Sequence, residues 1–199
     1  MDARVQAAFL AGCTCPVAES RALGWGELSA LLGTVEAGNK DGAAWMPAII
    51  EAGPRKGERV QAVSALVLDV EATAVREPNG SKTVTGPEPP PLEELAAELE
   101  LIGWKAILHT SYSHTRQHPR YRAVFAVSRL LNKAEVRPLG LHIAGVLGIT
   151  DAIDIKALEP ARLFYLPRVP HERLSAFEHR EIEGRPIDVD LLLSEAKRA

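Results

Sequence analysis

The sequence predicts an α+β fold. From Leu66 onward its patterns run strand, helix, strand, strand, helix and strand, the βαββαβ order of ferredoxin-like and RRM-like (RNA-recognition-type) sheets. The chain has 199 residues, of which 46% are hydrophobic and 25% charged, so it can bury a sizeable core and is neither disordered nor collagen-like. Because this architecture hosts many unrelated activities, function has to be argued from individual residues.

The first half of this core is predicted from one strand and one helix. An apolar, β-branched run over 62–71 ends in two acids and is typical of a buried strand. Proline, Asn-Gly and Gly-Pro pairs over 72–91 predict a long exposed loop. Pro91 then opens an amphipathic helix with acids in its first turn, and Gly103 ends it.

The second half is predicted from a hairpin, a helix and a last strand. Strands over 105–110 and 120–128 flank a polar turn and are expected to pair. A helix over 134–147, an acidic loop and a short strand over 162–166 complete the core.

The remaining segments are less regular. Helices are predicted over 3–11 and 26–32, followed by a glycine-flanked turn over 38–42. Residues 171–199 are expected to form a loosely packed charged tail. Since no stretch approaches the length of apolar chain that spans a membrane, we expect a cytoplasmic protein.

Charge and cysteine usage narrow the partners. The net charge of −3 argues against blanket attraction to nucleic acid, but the window 104–137 holds seven cationic residues and one acid. That window carries +6, which leaves −9 for the rest. Cys13 and Cys15 are too few for a disulfide framework or a four-ligand zinc site, so we expect free thiols.

Two acids of the first strand are candidates for binding a metal. Asp69 and Glu71 stand two residues apart, so both carboxylates project from one face and could share or bridge hard cations such as Mg²⁺ or Mn²⁺. The alternative is a strand end whose acids meet solvent. Asp154, with Asp151 as a competitor, could complete a triad, or could serve only as a turn or cap residue.

The predicted hairpin turn is a candidate phosphate site. Hydroxyls of Ser111 and Ser113 and the imidazole of His114 come directly before Arg120 and Arg122. Hydroxyls and backbone amides can hold phosphate oxygens, and guanidinium groups neutralise their charge. The alternative is an ordinary polar turn beside a solvated strand.

Together these three stretches resemble the archaeo-eukaryotic primase superfamily, particularly the primase-polymerase domains of plasmid, phage and integrated-element replication proteins. The resemblance covers roughly residues 64–167. It comprises a hydrophobic run ending in Asp-x-Glu, a Thr-Ser-x-Ser-His turn before Arg-Tyr-Arg, and an acid ahead of a Pro-x-Arg-hydrophobic-aromatic-Tyr-hydrophobic-Pro strand.

The resemblance implies a metal-dependent nucleotidyltransferase, a DNA primase or polymerase that makes primers or extends DNA on a single-stranded template. It implies a catalytic domain over 1–170, in which a smaller N-terminal α/β module (1–63) packs beside the core (64–170). The implied site residues are, for the catalytic acids and two Mg²⁺ or Mn²⁺ ions, Asp69, Glu71 and Asp154, and for the nucleotide, Ser111, Ser113, His114, Arg120 and Arg122.

The implied partners are nucleoside triphosphates and single-stranded DNA. The sequence has no Gly-x-x-x-x-Gly-Lys-[Ser/Thr] loop, so unwinding would need a separate helicase. Two other functions stay open at this point: a catalytically inactive replication initiator or nucleic-acid-binding module, and a metal-dependent nuclease that uses the same acids.

Overall fold

The computed structural model describes residues 4–17, 19–51, 53–77 and 82–198. Its strands in chain order are β1 (Arg4–Leu10), β2 (Glu19–Gly24), β3 (Glu36–Ala37), β4 (Ala44–Met46), β5 (Ala48–Ile50), β6 (Val60–Val70), β7 (Ala74–Arg76), β8 (Lys82–Val84), β9 (Ala106–Thr110), β10 (Tyr121–Leu131), β11 (Phe164–Tyr165), β12 (Arg168–Val169) and β13 (His179–Ile182). Its α-helices are α1 (Trp25–Gly33), α2 (Leu92–Ile102), α3 (Lys133–Val146) and α4 (Val189–Ala196). The predicted α+β class is confirmed.

Two sheets form the body of the protein. The larger is antiparallel throughout and has the order β13-β9-β10-β6-β5, and the smaller has the order β11-β4-β1-β2. Two short ribbons, β3 with β12 and β7 with β8, lie outside them.

One face of the larger sheet is covered by helices. Leu68 and Phe125 of this face are buried in one apolar cluster with Leu99 of α2 and Leu139 of α3. The helix ends follow their sequence signals: Gly103 ends α2 with a left-handed φ of 75°, and α3 begins with a capping box at Asn132.

The opposite face of the larger sheet packs against the smaller sheet. Val67 and Val124 share this second apolar cluster with Trp45 of β4 and Trp25 of α1. Side chains two residues further along a strand stay on the same face, so the apolar layer gives way to Asp69 on β6 and Arg122 on β10. The polar site therefore opens at the edge of the layer between the two sheets.

The predicted helix over 3–11 is wrong, because residues 4–10 form β1. This strand is hydrogen-bonded on both sides, to β2 and β4, and it buries Val5 and Ala7 in one cluster but Ala8 and Leu10 in the other. Burial on two faces favours an extended strand inside a sheet over an amphipathic helix with one apolar stripe.

The last predicted strand lies in a different sheet from the one expected. The segment over 162–166 contains β11, which pairs with β4 of the smaller sheet instead of joining the sheet of β6, β9 and β10. The edge position beside β6 is taken by β5.

The segment 171–199 is not a loose tail in its described part. It contributes β13, which covers the open edge of β9, and α4, which packs on α3. Ile187 and Val189 of this segment are fully buried. The predicted exposed loop over 72–91 likewise contains the β7–β8 ribbon, whose tip lies outside the described residues.

Candidate functional site

The three predicted acids meet at the end of β6. Ile153 forms a β-bridge with Val70, and the backbone N–H of Asp154 donates to the carbonyl of Asp69 at 2.9 Å. The acidic loop is thus hydrogen-bonded directly to the end of β6, where the other two acids lie. Asp69, Glu71 and Asp154 line one cavity of about 430 Å³, which we call the acid cavity.

The two candidates for the third acid differ in position. Asp154 lines the acid cavity and also caps the 3₁₀ turn Ile155–Leu158, because its Oδ1 accepts from the Lys156 N–H at 2.9 Å. Asp151 is exposed and contributes its backbone carbonyl to a hydrogen bond from Thr73. Asp154 therefore fulfils the cap role and the cavity role together.

Each of the three acids has an arginine partner. The ion pairs are Glu71 with Arg120, Asp69 Oδ1 with Arg122 Nε at 3.8 Å, and Asp154 Oδ2 with Arg162 Nη2 at 3.2 Å. Burial lowers the pKa of Arg122, and the neighbouring Asp69 carboxylate opposes that effect. The three pairs neutralise the carboxylates, so the cluster carries no net charge.

The predicted phosphate-binding turn lies next to the acid cavity. Ser111 and Ser113 line a second, smaller cavity of about 50 Å³, which we call the turn cavity. Asp69, Arg120 and Arg122 line both cavities, so the two lie side by side. Four of the five predicted nucleotide-binding residues are brought together here.

His114 lies beneath the turn and does not line either cavity. Its Nδ1 accepts from the Arg120 backbone N–H at 3.1 Å, which leaves the ring proton on Nε2 when the ring is neutral. That Nε2 is buried and has no hydrogen-bond partner among the described residues. Burial lowers the pKa of His114, which favours this neutral form. The ring therefore holds the turn in place through Nδ1, and its Nε2–H group is left as an unused hydrogen-bond donor.

Several residues of the two cavities were missed by sequence reasoning. Lys40 and Tyr165 line both cavities, while Arg168 lines the turn cavity. Arg162 and Tyr165 stand inside the predicted Pro160–Pro167 motif, so that motif was the available signal for them. Lys40 lies in the turn over 38–42, 29 or more residues from every predicted site residue, and carries no local signal.

One glycine of the turn over 38–42 leaves space for the side chain of an arginine. A Cβ on Gly42 would lie 2.7 Å from the Arg168 guanidinium, so only glycine fits there without displacing it. The guanidinium is held by Glu36 at 2.7 Å. The Arg168 guanidinium therefore occupies the space beside Gly42, at the rim of the turn cavity.

The donor set of the acid cavity suits a hard divalent cation, since three carboxylates supply only oxygen ligands. In this structure the three carboxylates are paired with arginines. Within the described ranges no three acidic, imidazole or thiol groups are arranged to hold a metal ion. A cation would therefore enter in exchange for guanidinium contacts.

Removing one competing arginine is expected to strengthen cation binding. Arg162→Gln leaves Asp154 without its ion-pair partner, and we expect Mn²⁺ affinity, measured by the loss of the free-ion EPR signal, to rise by roughly threefold to fivefold. A partly exposed pair of this kind is worth up to about 1 kcal/mol. Arg55→Gln is the matched control, because Arg55 lines the same cavity but donates to the Ala161 carbonyl. Unchanged or weaker Mn²⁺ binding in Arg162→Gln would show that Arg162 and the cation do not compete for Asp154.

Comparisons with known proteins give one family and one solved structure. No curated protein matches the sequence. The chain is similar to the AEP domain (PP-N190) of the primase-polymerase (PrimPol) of cyanophage S-2L, with a TM-score of 0.46 and 12% sequence identity over 96% of this chain and 88% of that one. No helix of the described ranges is long and apolar enough to cross a bilayer.

The family model of the VapE N-terminal domain matches residues 34–197, which is most of the chain. The match includes all three predicted motifs and extends into the segment that the sequence predicted to be a tail. The resemblance to archaeo-eukaryotic primase-type domains is thereby confirmed. This chain belongs to the family of VapE N-terminal domains.

Proposed function

We propose that the protein is a metal-dependent nucleotidyltransferase that makes primers or extends DNA on a single-stranded template, in the replication of a plasmid, phage or integrated element. The observation that carries this proposal is that the two cavities adjoin each other and share lining residues. One offers three carboxylates and the other offers hydroxyls and guanidinium groups, and both share Asp69, Arg120 and Arg122. Phosphoryl transfer needs carboxylates that bind cations next to groups that donate hydrogen bonds to phosphate oxygens.

Asp69, Glu71 and Asp154 would hold the divalent cations. Bound there, Mg²⁺ or Mn²⁺ would supply activation of a 3′-hydroxyl and neutralisation of the leaving pyrophosphate. The protein groups do the binding and orienting: Ser111 and Ser113 offer hydroxyls to phosphate oxygens, and Arg122 offers its guanidinium.

The rest of the site would keep this arrangement rigid. His114 fixes the course of the turn through its bond from the Arg120 N–H, and its unpartnered Nε2–H is a further donor beside the turn. The cations of the window 104–137 would contact the phosphates of nucleotide and template, so template binding should weaken as salt rises. Strand separation would be the task of a separate helicase.

The proposal is tested by removing one carboxylate. Asp69→Asn keeps the shape of the side chain and removes its charge, and we expect nucleotide incorporation on single-stranded DNA with Mn²⁺ and a mixture of ribo- and deoxyribonucleoside triphosphates to fall by at least about a hundredfold. Incorporation is read from labelled products on a denaturing gel. Asp151→Asn, which neutralises the exposed neighbouring acid, should retain full incorporation. Equal product from Asp69→Asn would refute the proposal.

The three ion pairs favour one second candidate, a nucleic-acid-binding module without turnover. Carboxylates neutralised by Arg120, Arg122 and Arg162 would repel a DNA backbone less than free ones. This candidate predicts binding of single-stranded DNA that is independent of cations, with no incorporation by the unmodified protein. Cutting of the template in the absence of nucleotides would instead identify the protein as a nuclease.

A further inference from the structure

A row of polar side chains runs across the larger sheet, from Asp69 to the strand at the opposite edge. Asp69 on β6 pairs in register with Arg122 on β10, Arg122 pairs with His109 on β9, and His109 pairs with His179 on β13. Residues directly opposite each other in antiparallel strands lie on the same face. Arg122 therefore has a carboxylate on one side and an imidazole on the other.

His109 presents a fixed acceptor atom toward this row. Its Nδ1 lies 3.1 Å from the Thr110 carbonyl oxygen, which can only accept, so Nδ1 carries the proton and Nε2 carries the lone pair. The residue has no exposed surface, and Nε2 has no hydrogen-bond partner in the part of the chain that the structure describes. Burial, with a smaller effect from Arg122, lowers the pKa of His109 to about 3, so the ring stays neutral.

Arg122 has the complementary unpaired group. Its Nη1 donates to the Tyr165 carbonyl at 2.7 Å, which anchors one end of the guanidinium. Its Nε–H is buried without a hydrogen bond to any described residue, because the 3.8 Å contact with Asp69 is too long for one. A buried donor and a buried acceptor on directly paired residues are thus both unsatisfied, which is costly unless a second arrangement pairs them.

We propose that His109 is the positioning residue for Arg122: when Asp69 binds a divalent cation, the Arg122 Nε–H leaves Asp69 and donates to His109 Nε2. The hydrogen bond from Nη1 to the Tyr165 carbonyl is kept, and the released edge of the guanidinium faces the turn cavity. This inference rests on the proposed function, since it assigns to Asp69 a cation and to Arg122 a phosphate. It makes cation binding and triphosphate binding strengthen each other through one arginine.

The direct test observes the His109 ring nitrogen. In ¹⁵N-histidine-labelled protein, long-range ¹H–¹⁵N spectra should show His109 as the Nδ1–H form with a free Nε2. Adding Mg²⁺ with a non-hydrolysable nucleoside triphosphate should shift the Nε2 resonance upfield, as expected for a nitrogen that accepts a hydrogen bond. A resonance that stays in place while both ligands bind overturns the inference.

Two variants test the consequence for binding. With Ca²⁺ present, calorimetric triphosphate affinity should fall about tenfold in His109→Leu, the loss expected for one hydrogen bond to a charged group, and clearly less in His109→Gln, whose Oε1 is an acceptor. Without a cation both variants should bind triphosphate as the unmodified protein does. His142→Gln, on α3 and outside the row, is the control.

The outcomes separate this inference from the proposed function. Equal losses in the Leu and Gln variants would assign His109 to packing alone and overturn the inference. Coupled binding with the expected ¹⁵N shift, but no nucleotide incorporation, would support the inference while the proposed transfer fails. Incorporation without the shift would do the reverse, and a failure to bind triphosphate at all would overturn both. If neither variant folds, the spectra of the unmodified protein decide.

Discussion

At pH 4 the protein is expected to be several kcal/mol less stable than at pH 7, because His109 must stay uncharged in the folded state. An unfolded histidine titrates near pH 6.5, whereas burial lowers the pKa of His109 to about 3. Between these values the unfolded chain binds more protons than the folded one, so the free energy of unfolding falls as the pH falls. At about 1.4 kcal/mol per pH unit, the full loss between pH 7 and pH 3 is roughly 5 kcal/mol.

Urea unfolding at pH 7, 6, 5 and 4 checks this expectation. Burial also lowers the pKa of His114 and His179, which adds to the loss, while it raises the pKa of Glu178, which opposes it. The contribution of His109 is therefore the difference between the unmodified protein and His109→Gln, whose stability should depend much less on pH. His118→Gln removes an exposed imidazole as a control. Parallel curves for the unmodified protein and His109→Gln would contradict the expectation.

Removing residues 171–199 is expected to abolish cooperative folding. The deletion takes away β13, so the backbone groups of β9 lose their partners along one edge, and it takes away α4, so the apolar surface of α3 is exposed. Circular dichroism should show no cooperative thermal transition for the truncated chain. A sharp transition near that of the full chain would mean that the segment is dispensable.

A pair of neighbouring leucines in α4 measures the same packing without deleting anything. Leu192 is 7% exposed and Leu191 is 51% exposed. Leu192→Ala should cost about 2–3 kcal/mol of unfolding free energy, because it leaves a cavity in the core, while Leu191→Ala should cost little. Equal effects would show that the helix is not packed as described.

The elements predicted well are those whose signals are local. The strand that became β6 is an unbroken apolar run, α2 begins at a proline and ends at a left-handed glycine, and α3 begins with a capping box. In each case the residues that define the element also define its ends, so no knowledge of distant neighbours is needed.

The elements predicted badly depend on partners far away in the sequence. β1 reads as a helix because its alanines favour one, and only its pairing with β2 and β4 makes it a strand. The two-residue strand β11 gives no clue that it pairs with β4, about 120 residues earlier. The segment after residue 170 is rich in charged residues, so its few apolar residues, which pack against the rest of the core, do not stand out in the sequence.

The candidate site divides in the same way. Sequence patterns singled out Asp69, Glu71 and Asp154, and all three line one cavity. The contact that brings Asp154 there, the bridge from Ile153 to Val70, has no signal in the sequence. The arginine partner of each acid is a property of packing, which sequence patterns do not carry. The roles assigned to His114 and the serines stay predictions.

The two walls of the acid cavity belong to different sheets, since Tyr165 lies on β11 and Asp69 on β6. Arg122 joins them, with one nitrogen on the Tyr165 carbonyl and its guanidinium carbon 5.4 Å from the centre of the Phe164 ring. The gap in which a nucleotide would sit is therefore as wide as the apolar filling between the sheets, including the tilted rings of Trp45 and Phe164, permits. Substitutions in the apolar layer between the sheets should therefore change the affinity of the site for a ligand that never touches that layer.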